Sequence, residues 1–175
     1  MVLAKIALLC TLRRGMVVSL FLFFSVHTVT AQMNFGELEQ RMSKEKRYIV
    51  VYITSKYCTY CLMQDAQIKK HKELKQKLDR NYYFVKEVAE SDSIITFNNK
   101  EYANPEPKNP YQVNDFVNVY GHDEKGSIGY PLWLYFDKDY RLLLRFHGLM
   151  PPGNILKVLD KIEKSGASNN NQYHE

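Results

Sequence analysis

The sequence predicts an α/β domain built on a central mixed sheet flanked by helices. A continuous β-branched and aromatic run, Tyr48-Ile49-Val50-Val51-Tyr52-Ile53, is the pattern of a strand buried on both faces. A helical periodicity follows from Cys58 to about Leu78, with Leu62, Ile68, Leu74 and Leu78 among its apolar positions, and a second strand-like run covers 82–89. Strand, helix, strand in this order gives a right-handed parallel unit. Nearer the C-terminus, Leu132–Phe136 and 142–146 flank the turn Asp137-Lys138-Asp139-Tyr140 and read as an antiparallel pair, so the sheet is mixed.

Residues 1–31 have a different composition. Lys5, Arg13 and Arg14 precede the apolar run 16–24, and Val29-Thr30-Ala31 places small residues before Gln32. This is the layout of a signal peptide cleaved near Ala31, which would export the protein to a periplasmic or secreted location. An uncleaved N-terminal anchor, with 7–9 adding apolar length, is the competing reading and the one route to membrane contact. Cys10 follows Leu9 rather than Gly or Ala, a poor match to a lipid-modification site, and is read as a bystander.

The remainder, 32–164, is sized for one domain: of 175 residues 45% are hydrophobic, enough for one core. Asn34 caps a short helix carrying Phe35, Leu38 and Met42. Residues 90–111 read as an insertion, with a small hairpin turning at Asn98-Asn99 and then Pro105, Pro107 and Pro110. A short helix from Asn114 to Tyr120 closes at Gly121. Gly148 and Pro151-Pro152 end the strand pair, and Ile155, Leu156, Val158, Leu159 and Ile162 mark a C-terminal amphipathic helix. Residues 165–175, with Asn169-Asn170-Asn171, read as a disordered tail.

Without Lys5, Arg13 and Arg14, the 24 Lys and Arg fall to 21 against 19 Asp and Glu, a balance of about +2. That excludes a nucleic-acid-binding balance, and the cations are interleaved with acids along a solvated helix face. Export leaves Cys58 and Cys61, which from the residues alone are a structural bridge, a metal half-site or a redox centre. At i and i+3 on a helix they share one face, close enough for a disulfide of allowed geometry. Cys58, in the first turn, meets unpaired N–H groups and the positive end of the helix dipole, which favour its thiolate. Cys61, one turn deeper, is shielded and suited to resolve a mixed disulfide.

A bridge across a three-residue separation constrains the unfolded chain little and so stabilises the fold little, which weakens the structural-bridge reading. Zinc needs four ligands, and His71, His122, His147 and His174 lie at no suggestive spacing, so no metal and no cofactor is expected.

A buried strand, Cys-x-x-Cys opening a helix and a later x-Pro starting a hydrophobic strand together resemble the thioredoxin-like fold family, over roughly residues 35–162. Tyr57-Cys58-Thr59-Tyr60-Cys61 is similar to the family's Trp-Cys-x-x-Cys, Tyr130-Pro131 to its cis-proline and Gly148 to its late glycine. The resemblance implies a thiol–disulfide oxidoreductase, reductase or isomerase, with Cys58 as nucleophile and Cys61 as resolver. It makes Pro131 a substrate-binding residue, with Tyr57, Tyr60, Tyr130 and Gly148 around it. It also implies protein dithiol or disulfide substrates and an upstream thiol donor or oxidant. His147 falls at the substrate-facing rim on this reading, though as a strand-end residue it needs no such role; Trp133, inside a strand, reads as core. The pattern departs from the family at two points: Tyr52 stands where thioredoxins carry a buried acid, and Ala66 near the proline that kinks their helix. Proton handling must differ, with Lys86, Glu87 and Glu90 as candidates. A non-catalytic binding or chaperone module on the same fold is the alternative.

Overall fold

A computed structural model describes residues 33–170. The expected export segment 1–31, with Cys10, lies outside the described residues, as do the last five positions of the expected tail.

The elements in order are α1 (Phe35–Met42), β1 (Tyr48–Thr54), α2 (Thr59–Lys70), α3 (Lys72–Asn81), β2 (Tyr82–Val88), β3 (Ile95–Phe97), β4 (Lys100–Tyr102), α4 (Asp115–Gly121), β5 (Leu132–Phe136), β6 (Leu142–His147) and α5 (Pro152–Asn170). The main sheet runs β2-β1-β5-β6. β1 is parallel to β2, with Tyr48 opposite Tyr82, and antiparallel to β5, which is antiparallel to β6.

The unbroken apolar character of β1 follows from its place in the interior of this sheet. Ile49, Val51 and Ile53 point into a core with Phe35 and Leu38 of α1, Phe116 and Val117 of α4, and Leu132 and Leu134 of β5. Val50 and Tyr52 face the opposite core, with Leu74 and Leu78 of α3, Trp133 and Tyr135, and Ile155 and Leu159 of α5. Neither face meets water, so the period-2 alternation of a half-exposed strand has no cause here. Asn34 caps α1 as expected, its Oδ1 accepting the Glu37 N–H at 2.9 Å.

Two expectations change. The helical stretch from Cys58 to Leu78 is two helices, broken at His71, whose backbone is extended (φ −93°, ψ 93°). His71 ends α2, and its Nδ1 accepts the Leu74 N–H at 3.2 Å, serving as N-cap of α3. Apolar periodicity does not register this break, because the imidazole replaces the Ser, Thr, Asp or Asn that usually marks a helix start. At the C-terminus α5 continues to Asn170, past the expected boundary at Ser165. A helical backbone satisfies its own hydrogen bonds without apolar side chains, so hydropathy falls silent before the helix ends.

The expected hairpin is present within the stretch 90–111 read as an insertion, and it also forms a wall of the core. Asn98 and Asn99 turn it with positive φ (54° and 59°), the pair of left-handed residues that a two-residue turn requires. Phe97 reaches inward to Phe136 (4.8 Å between ring centroids), Phe116 (5.2 Å) and Phe35 (6.0 Å). Asn114, fully buried, ties the segment down: its Nδ2 donates to Ser93 O at 3.0 Å, while its Oδ1 accepts the Phe116 N–H at 3.0 Å and caps α4.

Candidate active site

β1 ends at Thr54, and 55–58 turn from its C-terminal edge into α2. Cys58 is the N-cap residue of that helix, with extended backbone (φ −95°, ψ 100°), and its sulfur takes the place of a capping oxygen: Sγ accepts the Cys61 N–H at 3.0 Å. Cys58 and Cys61 form a disulfide, with S–S 2.13 Å and Cα atoms 5.2 Å apart. The two sulfurs are unequal in access. Cys61 is 2% exposed, whereas Cys58 is only partly covered.

Beneath the pair, the Tyr52 hydroxyl donates to Cys61 O at 3.2 Å, and its ring lies 4.5 Å from Trp133. Lys86, on β2 beside Tyr52, pairs with Asp65 at 2.6 Å and stands 5.7 Å from the Tyr52 ring centroid. Burial, and then the neighbouring Asp65 carboxylate, push the Tyr52 phenol well above its ordinary value of 10.0, so it is a neutral donor throughout the physiological range. A carboxylate is therefore present at this site, contributed by the helix, four residues beyond Cys61, and not by β1.

The approach to Cys58 is held from the other side by Glu90. This buried carboxylate accepts from Ser55 Oγ at 2.5 Å and from the Lys56 N–H at 3.1 Å, anchoring the turn that carries the cysteine. Burial, followed by the Glu90 charge, raises the Tyr130 phenol, and its ring packs against the core on that face of the sheet. The Tyr130-Pro131 peptide bond is cis. Leu132 pairs with Ile53, so Pro131 sits at the edge of the sheet from which the cysteine turn leaves. Gly148 adopts φ +100° and donates its N–H to Pro131 O at 2.7 Å.

Cys58, Cys61, Tyr130, Pro131 and Gly148 thus gather at one end of the sheet. Tyr57 (77% exposed) and Tyr60 (60%) flank the disulfide on the surface, joined by Met63, which was not singled out from the sequence, and by Leu62, expected at an apolar position of the helix but 70% exposed because it lies on the outer face of α2. His147 is engaged elsewhere: its Nε2 donates to Gly121 O at 2.9 Å. Trp133 is core. Of the proposed proton handlers, Lys86 lies under the pair through Asp65, Glu90 holds the turn, and Glu87 accepts from the Val88 N–H beside it. Asp65 was missed, although its i+4 spacing from Cys61 was available as a signal. Among the described residues no three His, Cys, Asp or Glu side chains converge as metal ligands.

A thioredoxin-like domain family matches residues 36–163, and the chain belongs to that family. Among curated proteins none matches the chain. Of the solved structures, a thioredoxin from Thermus thermophilus superposes with a TM-score of 0.55 at 16% identity, over 82% of this chain and 95% of that one. An oxidoreductase named DsbH gives 0.51 at 14% identity, over 76% of this chain and 84% of its own. A thioredoxin-fold protein from Helicobacter pylori gives 0.49 at 18% identity, over 67% and 69%. At these identities the first two superpositions establish the α/β thioredoxin-like fold, its mixed sheet flanked, among the described residues, by five helices.

Proposed function

We propose that the protein is a thiol–disulfide oxidoreductase that reduces or isomerises protein disulfides through Cys58 and Cys61, working in an exported, oxidising compartment. The observation that carries this is the asymmetry of the pair: a partly exposed sulfur at a helix N-cap, receiving the Cys61 N–H, is joined to a buried sulfur one turn deeper. The cap N–H and the helix N-terminus stabilise negative charge on the first sulfur and do little for the second.

In the reduced protein, the Cys58 thiolate attacks one sulfur of a client disulfide. A Cys58–client disulfide forms, and the other client sulfur leaves as a thiolate and takes a proton. Cys61 then gives up its proton, for which Asp65, on the same face of α2, supplies an acceptor through intervening water. The Cys61 thiolate attacks Cys58 Sγ, the client's second sulfur is released as a thiolate, and the protein pair is left oxidised. Two electrons have passed to the client, and a thiol donor must return them. The cis Pro131 segment is the wall against which the client chain lies, and Tyr57, Tyr60 and Tyr130 provide apolar contact beside the exchanging sulfurs.

Dithiol-driven reduction of a protein disulfide by the purified protein tests this. The Cys58→Ser variant should be inactive, and Cys61→Ser should accumulate mixed disulfides with clients. Full activity in Cys58→Ser would sink the proposal in favour of a binding module. Export is tested separately, by whether the protein recovered outside the cytoplasm begins near Gln32.

A further inference from the structure

Gln64 lies one turn beyond Cys61 and is 0% exposed. A buried carboxamide needs partners for both its ends, and here one residue supplies them: Nε2 donates to Met150 O at 3.0 Å, and the Met150 N–H donates to Oε1 at 2.8 Å. Met150 lies past the end of β6 and outside its ladder. Two residues earlier, the Gly148 N–H is bonded to Pro131 O. The segment 148–150 is therefore a short strap, fastened at one end to the cysteine helix and at the other to the cis-proline.

We propose that Gln64 is a positioning residue for disulfide exchange, holding the Pro131 wall of the site at a set spacing from the helix that carries Cys58 and Cys61. This rests on the oxidoreductase reading above. The sheet already places Pro131 beside the end of β1, but β1 does not carry the cysteines; Cys58 caps α2 at the end of the turn 55–58 and Cys61 lies in its first turn. Gln64 connects α2 itself to the Pro131 strap. Without the carboxamide, Met150 would bury an N–H and a C=O with no partner, and the strap would shift to recover them. A client disulfide must touch both walls while Cys61 attacks along the sulfur–sulfur axis, so a displaced wall weakens productive binding of a protein client. A small disulfide reaches Cys58 without using the wall.

The test compares two substrates on the full-length protein: insulin as protein disulfide, and 5,5′-dithiobis(2-nitrobenzoate) as small disulfide. Gln64→Met keeps the volume and removes both hydrogen bonds to Met150, along with the longer 3.5 Å bond from Nε2 to Gln67 Oε1. It should raise KM for insulin about tenfold with little change in kcat, and leave the small-disulfide rate at its wild-type value. Gln64→Glu gives a reading that bulk packing would not. A neutral carboxyl donates through O–H and accepts through C=O, matching the amide, whereas its ionised form only accepts and faces Met150 O with a charge. Its insulin KM should equal wild type at low pH and rise as the introduced carboxyl ionises, a transition that burial moves upward. Equal losses on both substrates, unchanged KM in Gln64→Met, or a pH-independent KM in Gln64→Glu overturns the proposal. If Gln64→Met does not fold, the Gln64→Glu profile decides alone. A wild-type protein inactive on both substrates overturns the oxidoreductase reading and this proposal with it.

Discussion

The hydroxyl of Tyr52 donates to the carbonyl of Cys61 across 3.2 Å, tying the central strand to the first turn of the cysteine helix. The position that would carry a titratable acid in thioredoxins instead holds a phenol that stays protonated, and its hydrogen bond reaches the backbone of Cys61. Tyr52→Phe retains the ring packing on Trp133 and loses only this bond. Stability should fall by about 1 kcal/mol, read as a lower urea midpoint at unchanged slope.

Cys58 and Cys61 should alkylate in sequence. After reduction, Cys58 should react first, with a rate that rises through a pKa below the ~8.5 of a free thiol, because the Cys61 N–H and the helix N-terminus favour its thiolate. Cys61, covered by the helix, should lag at every pH. Iodoacetamide labelling followed by peptide mass analysis distinguishes the two, and equal rates would remove the asymmetry on which the nucleophile assignment stands.

Gly148→Ala isolates backbone conformation from crowding. A Cβ at this position meets no atom within 4 Å, yet φ is +100°. The substitution should destabilise by about 1–2 kcal/mol through the disfavoured dihedral alone. Calorimetry should show the lowered Tm, and the Gly148–Pro131 hydrogen bond should survive in amide exchange at low temperature.

The α3–α5 contact should be sensitive to acid. Lys77 bridges Asp160 and, at 2.9 Å, Glu163. Burial alone would raise Glu163, but hydrogen bonds from Asn81 and Lys77 outweigh it and hold the carboxyl below its ordinary value of 4.5; Asp160, bonded to Lys77, is likewise held low. A folded-state pKa below the unfolded one contributes stability that is fully present above the unfolded value and is lost as pH falls through the folded one. Wild type should therefore lose stability below about pH 4.5. Lys77→Met should be less stable at neutral pH, with a shallower decline in acid, the remaining slope belonging to carboxyls such as Glu45 and Asp139, held low by Arg47 and Lys46.

Much of this was legible in the chain because it is written locally. β1 announces double-sided burial in six consecutive residues, the Cys-x-x-Cys spacing survives any helix boundary, and Asn98-Asn99 has few uses other than a turn. What stayed hidden depends on residues distant in sequence. Glu90, named from the sequence only as a candidate proton handler, anchors the turn 55–58 because β2 returns beside it; Gln64 has a role only because residue 150 arrives above α2, and Asp65 only because Lys86 stands on the adjoining strand. The break at His71 was missed for a different reason: an imidazole nitrogen capped a helix in place of an oxygen.

That break also bears on how the protein can change over generations. In an uninterrupted helix, inserting or deleting one residue turns everything beyond it by about 100°. His71 is extended and caps both neighbours, so the helical phase of α3 is set afresh at its own start. Length changes in α3, which packs on α5, leave the cysteine face of α2 pointing where it did. The cysteine-bearing turn and the scaffold behind it are free to vary as separate modules.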